Sequence, residues 1–157
     1  MLLDGRANQW FHQGLEELMA EPLCSSRNGP MRERLHVLTR LPDPRQRVLT
    51  IPRRRSNPFF QTAQAVWVLA GSANADWICR YNSQLRAYLD PGATAFHGAY
   101  GHRLRGGTRD QLRDVITQLE RDPDSRRAVA IIRDPRRDHP DLAPRDPPCN
   151  LALTFSA

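Results

Sequence analysis

Two short stretches of this sequence carry side chains able to do chemistry. "DPDSRRAVAIIRD" sets the adjacent guanidiniums of Arg126 and Arg127 just ahead of an apolar run, and "PPCN" sets the thiol of Cys149 just ahead of another. A guanidinium is a planar fork of N–H donors that grips phosphate oxygens two at a time, which lysine cannot do. A thiol is nucleophilic once ionised; its ordinary pKa is about 8.5, and nearby arginines lower it. Taken singly, paired arginines before a strand are most often a solvated face, and a lone cysteine is most often a small core group.

The surrounding pattern says which elements hold these groups. Ala7, Trp10, Phe11, Leu15, Leu18 and Met19 recur at helical spacing, and Pro22 closes the segment, predicting an amphipathic helix over 7–19. "RRRSNPFFQTAQAVWVLAG" predicts a helix over 58–70: Ser56 or Asn57 can cap it, Pro58 suits its first turn, and Gly71 sits where a left-handed terminal residue is wanted. Leu112, Val115, Ile116 and Leu119 predict a third helix over 109–121, capped by Thr108 and stopped by Asp122-Pro123. "RLHVLTRL" and "QRVLTIP" read as two short strands around the turn "PDPRQ", and "RRAVAIIRD" and "NLALTFSA" as two more. Between the last two, the proline-rich "PRRDHPDLAPRDPPC" reads as a surface loop that delivers Cys149 to the start of a strand.

Composition narrows the classes. At 157 residues the chain fits one domain with a real core. All 23 of its basic Lys+Arg residues are arginine, and the formal net charge is +6, which favours anionic partners such as phosphates. Cys24, Cys79 and Cys149 are widely spaced, with no C-x-x-C pair and no ligand pattern among the five histidines, which argues against a disulfide scaffold or a zinc site. No signal-like or membrane-spanning apolar run occurs, so a reducing, cytoplasmic setting with no membrane partner is expected.

Four motifs in order, "NPFFQTAQAVWVLAG", "FHGAYGHRLR", "DQLRDVITQLERDPDSRRAV" and "PPCN", resemble the thymidylate synthase and deoxycytidylate hydroxymethylase family, over roughly Arg27 to Phe155. The likeness is to the phage and actinobacterial branch, where asparagine follows the cysteine. It implies transfer of a one-carbon unit from methylenetetrahydrofolate to carbon 5 of a pyrimidine nucleotide, dUMP or dCMP, giving a methyl or hydroxymethyl product. By that resemblance Cys149 is the nucleophile that adds at carbon 6. Arg126 and Arg127 hold the nucleotide phosphate, reaching across a homodimer, and Arg27 in "SSRNG" belongs to a further phosphate-side loop. Tyr100 helps organise the water network that removes the ring proton. Asn150 contacts folate or base.

Two departures from the family pattern stand out. The family carries glutamate where this chain has Gln64, and an amide keeps the shape and hydrogen bonds but cannot carry a proton; a histidine, His97 or His102, or a water chain is then required. The family also continues past the nucleophile with further phosphate, base and ribose contacts. The chain therefore reads as a single partial domain, roughly the N-terminal half of an α/β (α+β) fold with a mixed sheet flanked by helices, with weak or absent turnover expected. The alternatives are a non-catalytic remnant that keeps nucleotide or partner binding, and an arginine-rich nucleic-acid binder. The last lacks an aromatic-interleaved basic stripe or a recognition-helix pattern, and no nucleic-acid partner is expected.

Overall fold

The computed structural model describes residues 1–26, 29–142 and 144–157. By its internal contacts the chain divides into two compact units, Met1–Ser56 and Asn57–Ala157.

In the first unit, β1 (Leu2–Asp4) leads into α1 (Ala7–Ala20), followed by the short pair β2 (Leu23–Cys24) and β3 (Met31–Arg32) and then β4 (Leu38–Arg40). The Arg6 amide donates to Gln9 Oε1 at 2.9 Å, which satisfies an N–H at the start of α1. β1 runs parallel to β4, with Leu2 opposite Leu38 and Asp4 opposite Arg40, and β2 is antiparallel to β3. Leu3 points inward and is buried.

The strand expected over "QRVLTIP" does not form, and β4 takes β1 as its partner instead. The reason lies in where its backbone groups go. Thr50 N donates to Asn8 Oδ1 at 3.0 Å and Thr50 Oγ1 accepts from Asn8 Nδ2 at 2.7 Å, so a side chain takes the place of a strand. Short 3₁₀ turns at Pro44–Gln46 and Pro52–Arg54, each opening on a proline, flank the segment.

The second unit contains α2 (Pro58–Leu69), α3 (Ala75–Cys79), α4 (Tyr100–Arg105), α5 (Gln111–Arg121), β5 (Val129–Ile131) and β6 (Ala152–Thr154). α2 begins as the sequence predicts: Asn57 Oδ1 accepts from Phe60 N at 3.1 Å and Pro58 takes the first turn, while Gly71 follows the helix at φ +67°. α5 starts later than expected, because its cap is Asp110 and not Thr108. The Asp110 carboxylate accepts from Arg113 N at 3.1 Å, and its charge also suits the positive end of the helix.

The unit has two clusters of buried side chains. Ala63, Trp67, Ile78, Cys79 and Phe96 join α2 and α3 to the segment before α4. Leu104, Val115, Ala130 and Ile132 join α4 and α5 to β5. Trp67 anchors the first cluster, with its ring edge-on to Phe96 at 6.1 Å and its Nε1 donating to the Asn74 carbonyl at 2.9 Å. β5 pairs antiparallel with β6, Val129 opposite Thr154 and Ile131 opposite Ala152. The other edge of β5 is closed by one side chain: Gln111 donates to the Ile131 carbonyl and accepts from the Ile131 amide, both at 2.9 Å. Parallel and antiparallel pairs thus both occur among helices, an α/β arrangement in which each sheet among the described residues is two-stranded.

Candidate active site

A cavity of about 400 Å³ opens in the second unit between α2, the start of α4 and the loop that precedes β6. Its walls are mostly apolar, with Trp67, Val68, Leu85, Tyr88 and Phe96 among them. Gln64 from α2, Tyr100 from α4 and Cys149 from the loop reach the same cavity. The sequence separates these three by 36 and 49 residues, and the fold brings them to one place.

Each is placed by an identifiable device. On α2, Ala63 and Trp67 face the core one turn apart, so the neighbouring positions Gln64 and Val68 fall on the cavity side. α4 packs directly against α2 because residue 101 is glycine: a Cβ there would lie 2.3 Å from the Val68 carbonyl oxygen and 2.7 Å from its Cα. That contact seats Tyr100, the first residue of α4, beside the α2 wall. The other glycine of "FHGAYGHRLR", Gly98, does the same for the cysteine loop, since a Cβ on it would lie 2.2 Å from the Asp146 carbonyl oxygen and 3.1 Å from Pro148 N. Pro148 is fully buried, and Cys149 beside it is exposed.

A buried charged network ties the turn at His97 to α4. Arg103 and Asp138 form a forked ion pair, Nη2 to Oδ1 at 2.7 Å and Nη1 to Oδ2 at 2.9 Å, with side chains 2% and 0% exposed. Arg103 also donates to the His97 carbonyl from Nη2 at 2.9 Å, and His97 Nε2 lies 2.8 Å from Asp138 Oδ1. Burial alone would raise the Asp138 carboxyl, but hydrogen bonds from Arg103, the Asp134 amide and His97, with the Arg103 charge, hold it well below the usual carboxylate range. Asp146 behaves oppositely. Burial pushes its carboxyl up, against the hydrogen bonds it accepts from the Gly98 and His97 amides.

The remaining sequence candidates lie elsewhere. Arg126 and Arg127 are exposed at the turn before β5, held outward by Ser125, whose Oγ accepts from Arg127 N at 3.2 Å and from Gln118 Nε2 at 2.9 Å. Arg127 borders a separate polar depression shared with Arg109, Asp114 and Arg121. Asn150 is exposed beyond Cys149 and does not line the cavity. Arg27 lies outside the described residues. Neither His97 nor His102 lines the cavity, and a ring nitrogen of His97 is already committed to Asp138. Asp146, which the sequence presents only as a polar residue in a proline-rich loop, is the one carboxylate among the described residues that line the cavity.

Among the described residues no cluster of His, Cys, Asp or Glu that could hold a metal ion occurs, and no helix is long and apolar enough to cross a membrane. The described cysteines are unpaired, and burial pushes the Cys79 thiol up.

No family model matches the chain. Curated proteins do. The chain is 36% identical over 144 residues to the deoxyuridylate hydroxymethyltransferase of Bacillus phage SP01, covering 85% of this chain and 37% of that protein. It is 37% identical over 132 residues to the deoxyuridylate hydroxymethyltransferase of Pseudomonas phage M6, covering 83% and 37% respectively. For the protein of the same name from Delftia phage PhiW-14 the identity is 35% over 137 residues, covering 81% and 38%. The chain thus spans well under half the length of the curated relatives it matches.

Proposed function

The chain belongs to the thymidylate synthase and hydroxymethylase family, and from that premise we propose that it forms the nucleophile-bearing part of an enzyme that transfers a one-carbon unit to carbon 5 of deoxyuridylate. The observation that carries this reading is the convergence of Cys149, Tyr100 and Gln64 on one apolar-walled cavity. The names of the relatives favour dUMP over dCMP and a hydroxymethyl over a methyl product.

The chemistry follows from the groups present. The Cys149 thiolate adds to carbon 6 of the pyrimidine, forming an S–C bond while the ring's double-bond electron pair shifts toward carbon 5 and the carbonyl at carbon 4. Carbon 5 becomes nucleophilic and would form the new C–C bond to the one-carbon unit, with the folate nitrogen as the leaving group and water as the source of the hydroxyl oxygen in a hydroxymethyl product. The Tyr100 hydroxyl, half-buried at the cavity wall, holds water for removal of the carbon 5 proton. Elimination then breaks the S–C bond and returns the thiolate. Gln64 can hold a ligand by its amide but cannot move a proton.

The flat aromatic walls, Trp67, Tyr88 and Phe96, fit heteroaromatic rings; Gln64 offers its amide to a folate at the cavity, and exposed Asn150, next to Cys149 in the chain, offers another outside it. Methylenetetrahydrofolate, when bound, supplies the one-carbon unit. The outward placement of Arg126 and Arg127, away from their own chain's Cys149, suits a phosphate clamp offered to a second copy in a homodimer. A second reading, a remnant that binds nucleotide without turnover, is favoured by Gln64 alone.

Alkylation of Cys149 by iodoacetamide, followed by peptide mass analysis, tests the site. Protection by dUMP, stronger than by dCMP, is expected, whereas equal alkylation with and without either nucleotide contradicts the proposal.

A further inference from the structure

The loop carrying Cys149 is joined to the rest of its unit by two carboxylates. On one side the Arg145 amide donates to Asp90 Oδ1 at 3.1 Å and Arg145 Nη1 donates to the Leu89 carbonyl at 3.3 Å. On the other, Asp146 accepts from two consecutive amides, His97 N to Oδ1 at 3.3 Å and Gly98 N to Oδ2 at 3.0 Å. Both oxygens of Asp146 are therefore engaged with a single peptide turn, and the absent Cβ of Gly98 lets the loop backbone approach it closely.

That turn is itself fixed. The His97 carbonyl accepts from Arg103 Nε at 3.2 Å and Nη2 at 2.9 Å, and the His97 ring lies on Asp138. Arg103 belongs to α4, the helix that opens with Tyr100. From Asp146 the chain reaches Cys149 through Pro147 and Pro148, whose φ angles are locked and the second of which is fully buried. Each link between the nucleophile and Tyr100 is thus either a stiff backbone segment or a charge-assisted hydrogen bond, and Asp146 is the link that joins the two halves.

We infer that Asp146 is a positioning residue for Cys149: by clasping the His97 and Gly98 amides it sets the thiol against the cavity wall that carries Tyr100. The inference deepens the one-carbon transfer reading and rests on it. A nucleophile misplaced by about 1 Å loses about a hundredfold in rate, so the effect belongs in the bond-forming step. It does not belong in nucleotide affinity.

The test compares Asp146→Ala and Asp146→Asn with the parent chain. The first readout is formation of a covalent Cys149 adduct with 5-fluoro-deoxyuridylate and methylenetetrahydrofolate. Asp146→Ala is expected to lower the saturating rate by about tenfold or more while the half-saturating nucleotide concentration stays within about threefold. Asp146→Asn, which keeps one carbonyl oxygen as an acceptor, is expected to restore part of the rate. Alkylation by iodoacetamide of exposed Cys149 should stay within about threefold of the parent in both variants, and buried Cys79 should stay unreactive, which reports an intact fold. The second readout is hydrogen exchange at the His97 and Gly98 amides, expected to accelerate by about tenfold or more in Asp146→Ala. An unchanged adduct rate, or unchanged protection of those two amides, overturns the inference. If the parent chain forms no adduct, the one-carbon transfer reading fails, and the exchange readout alone then decides whether Asp146 clasps the turn.

Discussion

Gly98 and Asp146 meet so closely that no side chain fits between them: a Cβ on Gly98 would lie 2.2 Å from the Asp146 carbonyl oxygen, with Pro147 and Pro148 within 3.2 Å. The close approach sets the cysteine loop against the turn ahead of Tyr100. Gly98→Ala is therefore expected to force the loop away, costing about 1–3 kcal/mol of stability and abolishing protection of Cys149 by dUMP. Thermal unfolding together with the alkylation assay checks both effects. Full protection in a destabilised Gly98→Ala chain contradicts the close-approach argument.

The Arg103–Asp138 pair gives a second prediction. Removing one partner leaves the other charge buried, so Arg103→Ala is expected to lose about 3–5 kcal/mol. Arg103→Lys keeps the charge but loses the fork and the second bond to the His97 carbonyl, and falls between the two. Chemical denaturation of both variants provides the measurement; a loss in Arg103→Ala no larger than that of an exposed arginine such as Arg126 counts against the role assigned to the pair.

The pair also fixes the sign of a pH dependence. The Asp138 carboxyl is held below its unfolded value of about 3.9, so its contribution is complete above that pH and is lost as pH falls toward the lower folded value. Asp146 has the opposite sign, because burial raises it, and its protonation on acidification relieves a cost. Stability is thus expected to drop below about pH 4 in the parent chain and in Asp146→Asn, and to depend less on pH in Asp138→Asn. Unfolding midpoints between about pH 3 and 6 decide this. An acid limb that survives unaltered in Asp138→Asn assigns the effect to other carboxylates.

Much of the second unit is legible in the sequence because its signals are local. Asn57-Pro58 both caps and starts α2, and the periodic Leu112, Val115 and Leu119 find the core, although Ile116 of the same pattern stays exposed. The motifs single out Cys149, Tyr100 and Gln64, and the structure adds that they line one cavity. The supporting groups are not legible. Arg103 and Asp138 lie 35 residues apart in arginine-rich stretches that look like solvated surface, and nothing local says that they neutralise one another inside. Asp146 reads as a turn residue until its two amide partners, about 49 residues away, are in place. "QRVLTIP" has strand composition, but composition cannot say that Asn8 will take its hydrogen bonds.

Position 64 offers a gain-of-function test. Gln64→Glu places a proton-carrying carboxyl beside the cavity without changing the side chain's size. Release of tritium from carbon 5 of labelled dUMP, in the presence of methylenetetrahydrofolate, is expected to rise by about 10²-fold. No increase in a folded Gln64→Glu chain shows that proton transfer at this position does not limit the reaction.

The central claim is that Cys149 attacks a pyrimidine nucleotide in this cavity, and trapping the attack tests it most directly. With 5-fluoro-deoxyuridylate and methylenetetrahydrofolate, fluorine at carbon 5 cannot leave as a proton does, so the S–C bond persists once carbon 5 has taken up the one-carbon unit. Intact mass measurement is predicted to show the chain plus nucleotide plus folate, with the added mass on Cys149 and lost in Cys149→Ser. A folded chain that gains no nucleotide mass under these conditions, or gains the same mass in Cys149→Ser, contradicts the account.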